Sequence, residues 1–70
     1  MIKFAQRLKE LRKERNLKQS ELGKILSVDQ RSISCWENGS REPDYETLAK
    51  IALYFQESAD YLLGIEDRLK

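Results

Sequence analysis

The sequence has no histidine and a single cysteine, and both shortages close off classes of function. With Cys35 alone, a structural zinc site lacks its ligands and no disulfide can form within the chain. The missing histidine also leaves Cys35 and the serines without the usual general base, so a nucleophilic enzyme has nothing to stand on. Neither a Gly-rich phosphate loop nor an internal repeat is present, and no cofactor and no metal is expected. A lone free thiol fits a reducing compartment. Long apolar runs are missing too, and Met1 to Leu8 is already interrupted by Lys3 and Arg7. No membrane span and no signal peptide is therefore expected, and the cytoplasm is the default location. A chain of 70 residues makes one domain, 1–70, with a core at about 4–64 and a tail at 65–70. So short a chain buries only about 60% of its unfolded surface.

Net charge is +1, which says little until its distribution is considered. Residues 1–43 hold ten Lys/Arg against six Asp/Glu, a net +4, while residues 44–70 hold three against six, a net −3. Mixed, solvated helix surfaces would give a split this small. Beside a suitable motif, the same asymmetry suggests a polyanion on one face.

The stretch from Lys18 to Gly39 supplies that motif. Leu22 and Leu26 stand four apart with Ile25 beside them, giving a first short helix one apolar side. Ile33 and Trp36 do the same for a second helix, 30–38. Between them, Asp29 is an N-cap whose carboxylate can accept the free N–H groups opening the second helix. Val28 and Ile33 then fall at the spacing of a hydrophobic staple. Gly39 follows the last periodic residue, where a left-handed backbone ends a helix. The outward face of the second helix is Gln30, Arg31, Ser34 and Cys35. Two helices at a fixed angle, the second presenting hydrogen-bonding groups, make the geometry that places a helix in the major groove of DNA.

Around that stretch, Phe4, Leu8 and Leu11 form the stripe of a first helix ending near Arg15 or Asn16, with Asn16 suited to a left-handed exit. Arg7, Lys9, Lys13 and Arg15 lie off the stripe and are expected in solvent. Arg12 follows Leu8 by four and Glu37 follows Ile33 by four, so both point inward, and one buried ion pair is expected between them. No second acid, base or nucleophile accompanies the pair, which makes its role structural. Asp44 caps a fourth helix that is apolar nearly all round, the mark of a central core helix. Leu53 is its exception, sharing a face with Glu46, Lys50 and Glu57. It is either a scattered exposed leucine or part of a partner surface. Ser58 caps a short fifth helix that Gly64 stops, and Ile65 and Leu69 lie in a tail that either extends a helix, lines a dimer interface or frays.

In order and spacing, these residues resemble the phage-repressor and Cro-like (Xre-type) helix-turn-helix DNA-binding domains over about residues 4–64. The match runs through Gln19, Glu21-Leu22, Ile33, Trp36-Glu37-Asn38-Gly39, Pro43 and Asp60-Tyr61-Leu62-Leu63-Gly64. Lys18 departs from the family's Thr, Ser or Asn cap, Ser27 from its usual turn Gly, and Glu57 from an apolar residue. Gly23 keeps the small residue that the family has there. The resemblance implies an all-α, compact five-helix domain of the lambda-repressor-like kind, binding double-stranded DNA as a transcriptional regulator, with repressor the expected sense. It implies a homodimer on a two-fold symmetric operator, base contacts from Gln30, Arg31, Ser34 and Cys35, and phosphate contacts from Gln19, Asn38, Arg41 and the outer edge of Arg12. It also implies the Arg12–Glu37 ion pair. The rival reading is a protein-interaction module, an antitoxin or antirepressor-like subunit, that uses the same fold to hold a partner protein.

Overall fold

Five aliphatic side chains are sealed from solvent, one from each helix: Leu8, Leu22, Ile33, Ile51 and Leu62. The computed structural model describes residues 3–66, and among them it contains five helices and no strand. These are α1 (Phe4–Glu14), α2 (Gln19–Leu26), α3 (Gln30–Asn38), α4 (Tyr45–Phe55) and α5 (Ala59–Leu63). α3 packs on α1 and α2, α5 bridges α1 and α4, and α4 leans on α2. Phe4, Leu11, Leu26, Trp36, Phe55 and Tyr61 complete the core around the sealed five. The all-α expectation and the expected helix order hold.

All five helices end alike. The residue after each helix or its cap turns left-handed, at Asn16, Ser27, Gly39, Gln56 and Gly64. In each case the next N–H reaches back five residues to a helix carbonyl, as from Leu17 to Arg12, Val28 to Gly23 and Glu57 to Ala52. Asn16 and Gly39 were legible as stops. Gln56 was not, because nothing in its residue type favours a positive φ. Three of the five helix starts have side-chain caps: Asp29 accepts from Arg31 N–H, Asp44 from Thr47 N–H and Ser58 from Tyr61 N–H. Lys18 caps nothing with its ammonium; only the return half of a capping box forms, with Glu21 accepting from Lys18 N–H at 2.7 Å.

Two expectations are corrected. Arg7 is buried rather than solvated. Its guanidinium lies 4.3 Å from the Tyr61 ring centroid and donates to the carbonyls of Tyr61 and Glu66. A long side chain off the apolar stripe thus reaches across to α5 and satisfies carbonyls there. α4 is not the central helix. Only Ile51 and Phe55 of it are buried, while Tyr45 and Leu53 are exposed, so its apolar circumference is covered on one side alone. The centre belongs to α1, α2 and α3. A smaller difference concerns Ile25, which lies at the edge of α2's apolar side and is exposed. Arg15 is exposed, as expected, yet stacks near the Tyr54 and Phe55 rings at 5.1 and 5.3 Å. Ile65 is exposed, and the tail's Leu69 lies outside the described residues.

The α4 cap carries a pH signature. Hydrogen bonds from Thr47, side chain and backbone, hold the Asp44 carboxyl below its ordinary value. A depressed folded value means stability fully present above the unfolded carboxylate range and lost as pH falls through the folded one. Thermal unfolding followed from about pH 6 to pH 2 is expected to show this loss in the parent chain. Asp44→Asn, a cap that cannot titrate, is expected to lack that part of the acid dependence.

Candidate nucleic-acid interface

The turn between α2 and α3 leaves no room for a side chain at Gly23. Ser27 occupies the left-handed region at φ 61°, where the resemblance implies glycine and a side chain is mildly strained. Its N–H and that of Val28 close back on α2, the latter at 2.8 Å to the Gly23 carbonyl. A Cβ at Gly23 would stand 2.8 Å from the Val28 carbonyl oxygen, so the turn folds directly over this residue. Val28 packs on the core cluster to which the buried Ile33 belongs, and Asp29 caps α3 at 3.0 Å. Together these contacts fix the angle between the two helices.

A second set of contacts fixes α3 against α1. Arg12 donates to Glu37 from Nε at 2.6 Å and from Nη2 at 2.9 Å, a bidentate pair with side chains only 11% and 4% exposed. Its Nη1 donates to the Leu17 carbonyl at 2.8 Å, tying in the loop before α2. Hydrogen bonding to Glu37 pushes the Arg12 guanidinium up from an already high value, burial opposes this less strongly, and the charge of Glu37 adds to the rise. The expected ion pair is present. What the sequence did not signal is the third donor on Glu37: Gln19 Nε2 lies 3.1 Å from Oε1. Gln19 is thus held at the start of α2 by the acid of α3, with one amide N–H and its carbonyl left over.

With Ile33 and Trp36 buried, the opposite side of α3 faces out. Gln30 and Arg31 are exposed, and Ser34 and Cys35 are half-buried. Gln19, Asp29, Gln30, Arg31 and Ser34 line one polar concavity of about 360 Å³. The structure therefore brings Gln19 together with three of the four expected base readers. Cys35 lies outside this concavity. Asp29 joins it, though its sequence position pointed only to capping; its second carboxylate oxygen adds an acceptor beside Gln30 and Arg31. Arg41 is exposed and borders a different recess, with Trp36, Gly39 and Glu42. Asn38 is exposed and its amide oxygen accepts from Ser40 N–H at 2.8 Å, shaping the loop beyond α3 and leaving its amino group outward. Of the expected phosphate-contacting residues, Arg12 is the most deeply committed elsewhere, since the donors named above turn inward. The surface as a whole offers hydrogen-bond donors and acceptors on a rigid helix.

The chain matches the helix-turn-helix domain family over residues 5–67. It is 39% identical over 67 residues to a Bacillus subtilis protein named as the uncharacterized HTH-type transcriptional regulator YqaE, covering 96% of this chain and 58% of that one. Among solved structures it resembles a transcriptional regulator from Listeria innocua, with TM-score 0.89 and 33% identity over 100% of this chain and 65% of that chain. It also resembles the P22 c2 repressor solved in complex with a synthetic operator, with TM-score 0.84 and 35% identity over 90% of this chain and 96% of that one. The chain spans between 28% and 65% of the length of the curated relatives it matches.

The ion pair is open to direct test. Replacing either Arg12 or Glu37 by Met leaves a buried charge alone and is expected to cost about 3–5 kcal/mol. Replacing both is expected to cost less than the sum of the two. A double-mutant cycle in urea measures the coupling, and additive losses would contradict a buried pair.

Proposed function

This chain belongs to the helix-turn-helix domain family, of the phage-repressor and Xre type, and on that premise we propose that it binds double-stranded DNA sequence-specifically. In this reading residues 4–64 are the DNA-binding unit of a cytoplasmic transcriptional regulator, acting as a repressor and as a homodimer on a two-fold symmetric operator. The observation that carries it is the polar concavity where Gln19 of α2 meets Gln30, Arg31 and Ser34 of α3. α3 enters the major groove with Gln30 offered to adenine, Arg31 to guanine, Ser34 to either and Cys35 to a thymine methyl. Gln19, Asn38, Arg41 and the outer edge of Arg12 meet phosphates. The N-terminus of α2 adds backbone N–H groups beside Gln19. One short helix reads few base pairs, which is why two copies are needed for a specific site.

Selection of bound duplexes from a random pool gives the operator, and titrations at several salt concentrations then separate the two kinds of contact. Arg31→Ala is expected to lose about 1–3 kcal/mol on the operator and to relax preference at one position per half-site. Arg41→Ala is expected to weaken operator and scrambled duplex alike and to lower the salt slope by about one unit per contact. Gln19→Ala should resemble Arg41→Ala in specificity with little change in slope, because Gln carries no charge. Equal losses on both duplexes for Arg31→Ala would make Arg31 a backbone contact.

Cys35 gives an independent check, since it lies off the buried stripe of α3 and is half-buried. Alkylation with a bulky reagent is expected to block operator binding while circular dichroism stays unchanged. Full binding after complete alkylation would place Cys35 away from the DNA.

A further inference from the structure

We propose that the outer face of α4 is the surface on which two copies of this chain meet, helix against antiparallel helix about a two-fold axis at Ala49. The proposal rests on the homodimer reading above and names the surface that reading lacks. Tyr45 and Leu53 are 91% and 79% exposed, and Ala49, also exposed, lies midway between them. Spacings of four place the three in one row along the helix. These are two of the four large exposed hydrophobics among the described residues, and they share one helix.

The charges beside the row select the partner. Glu46 and Lys50 flank it on one side, four residues apart. In an antiparallel pair related by a two-fold axis, the same flank of each helix meets its own copy. Glu46 lies about 4.5 Å before Ala49 along the helix and Lys50 about 1.5 Å after it. Across the axis, Glu46 of one copy therefore faces Lys50 of the other within about 3 Å of axial offset, and the arrangement occurs twice. Tyr45 and Leu53, equally far from Ala49, oppose each other in the same manner. Ala49 at the crossing lets the helix axes approach to about 8 Å, the near end of the usual range. Among the described residues neither Glu46 nor Lys50 is held in an ion pair of its own chain, and Lys50 exerts only an electrostatic pull on Asp44.

On the other side of Tyr45 the surface continues into a shallow, mainly apolar groove of about 280 Å³, walled by Phe4, Pro43, Leu48 and Leu63 with Glu42 beside them. α3 is packed on α1 and α2, so pairing through α4 leaves its polar face free. One helix face makes a small interface, below about 1,200 Å² in total, and such interfaces are weak. Two copies on adjacent half-sites are held at a high effective concentration, where a weak contact is enough.

The test uses the full chain in sedimentation equilibrium, without DNA and up to about millimolar protein, with Glu46→Lys, Lys50→Glu, the double reversal and Leu53→Asp. Each single reversal turns two attractions into two repulsions and is expected to weaken self-association about tenfold. The double reversal is expected to restore it, and Leu53→Asp to abolish it. In a Cys35→Ser background, oxidation is expected to link Ala49→Cys chains in pairs and to leave Ala59→Cys chains single. A monomer at every concentration, or self-association indifferent to all four variants, overturns the proposal, as does a double reversal that fails to rescue. On DNA, single-half-site affinity is expected to stay at the parent value in Glu46→Lys, Lys50→Glu, the double reversal and Leu53→Asp, while cooperativity between two half-sites falls in all of these but the double reversal. If selection returns no bound duplex, the DNA reading fails by itself, and sedimentation still decides the pairing.

Discussion

The Glu37 carboxylate is the point on which the arrangement of this molecule turns. It accepts from Arg12 of α1 and from Gln19 of α2, and it belongs to α3. Three helices thus converge on two oxygens, and the loop between the first two is drawn in through the Leu17 carbonyl. Taking both charges out of water costs several kcal/mol per ion, and the bidentate geometry with its extra bonds offsets that cost. Apolar packing of Ile33 and Trp36 would tolerate small rotations of α3. A carboxylate shared by two donors from different helices does not, because each bond has a narrow range of angle and distance. What this costs in stability it returns as a defined orientation of the outward face.

That division of labour runs through the chain. Apolar side chains decide which elements touch, and polar contacts with directional demands decide how they are aimed. Val28 and Ile33 bring the turn onto the core, while Asp29 and the left-handed Ser27 set where α3 begins. Arg7 does the corresponding work at the far end, holding the carbonyls of Tyr61 and Glu66 against α1.

Periodicity and capping residues made the five helices and their order legible, because spacing in sequence maps directly onto faces of a helix. The Arg12–Glu37 pair was legible for the same reason: two charges fell on core stripes. The misreadings came where that mapping is insufficient. Arg7 lies off the stripe of α1, and only the position of α5, set by contacts distant in sequence, decides that its side chain finds carbonyls there. α4 reads as apolar on all sides, and periodicity cannot say how many of those sides other helices cover. Gln19's bond to Glu37 has no sequence signal, since an amide at a helix start is ordinary. The outward residues of α3 were legible as a face. Their division into one concavity with Gln19 and Asp29, and a Cys35 outside it, depends on how α2 crosses α3.

The sealed core has one large aliphatic side chain from each helix, and this sets how the domain can come apart. α5 has five residues, far below the length at which a helix holds in water by itself. α2 and α3, at eight and nine residues, are scarcely better placed. No helix can leave without exposing a buried neighbour on the others, and none persists once it has left. Partly opened forms are therefore costly, and unfolding is concerted across the whole bundle. The turn and the outward face of α3 accordingly exist at full strength or not at all, and a small loss of global stability acts on the population of molecules able to use that face, not on its shape.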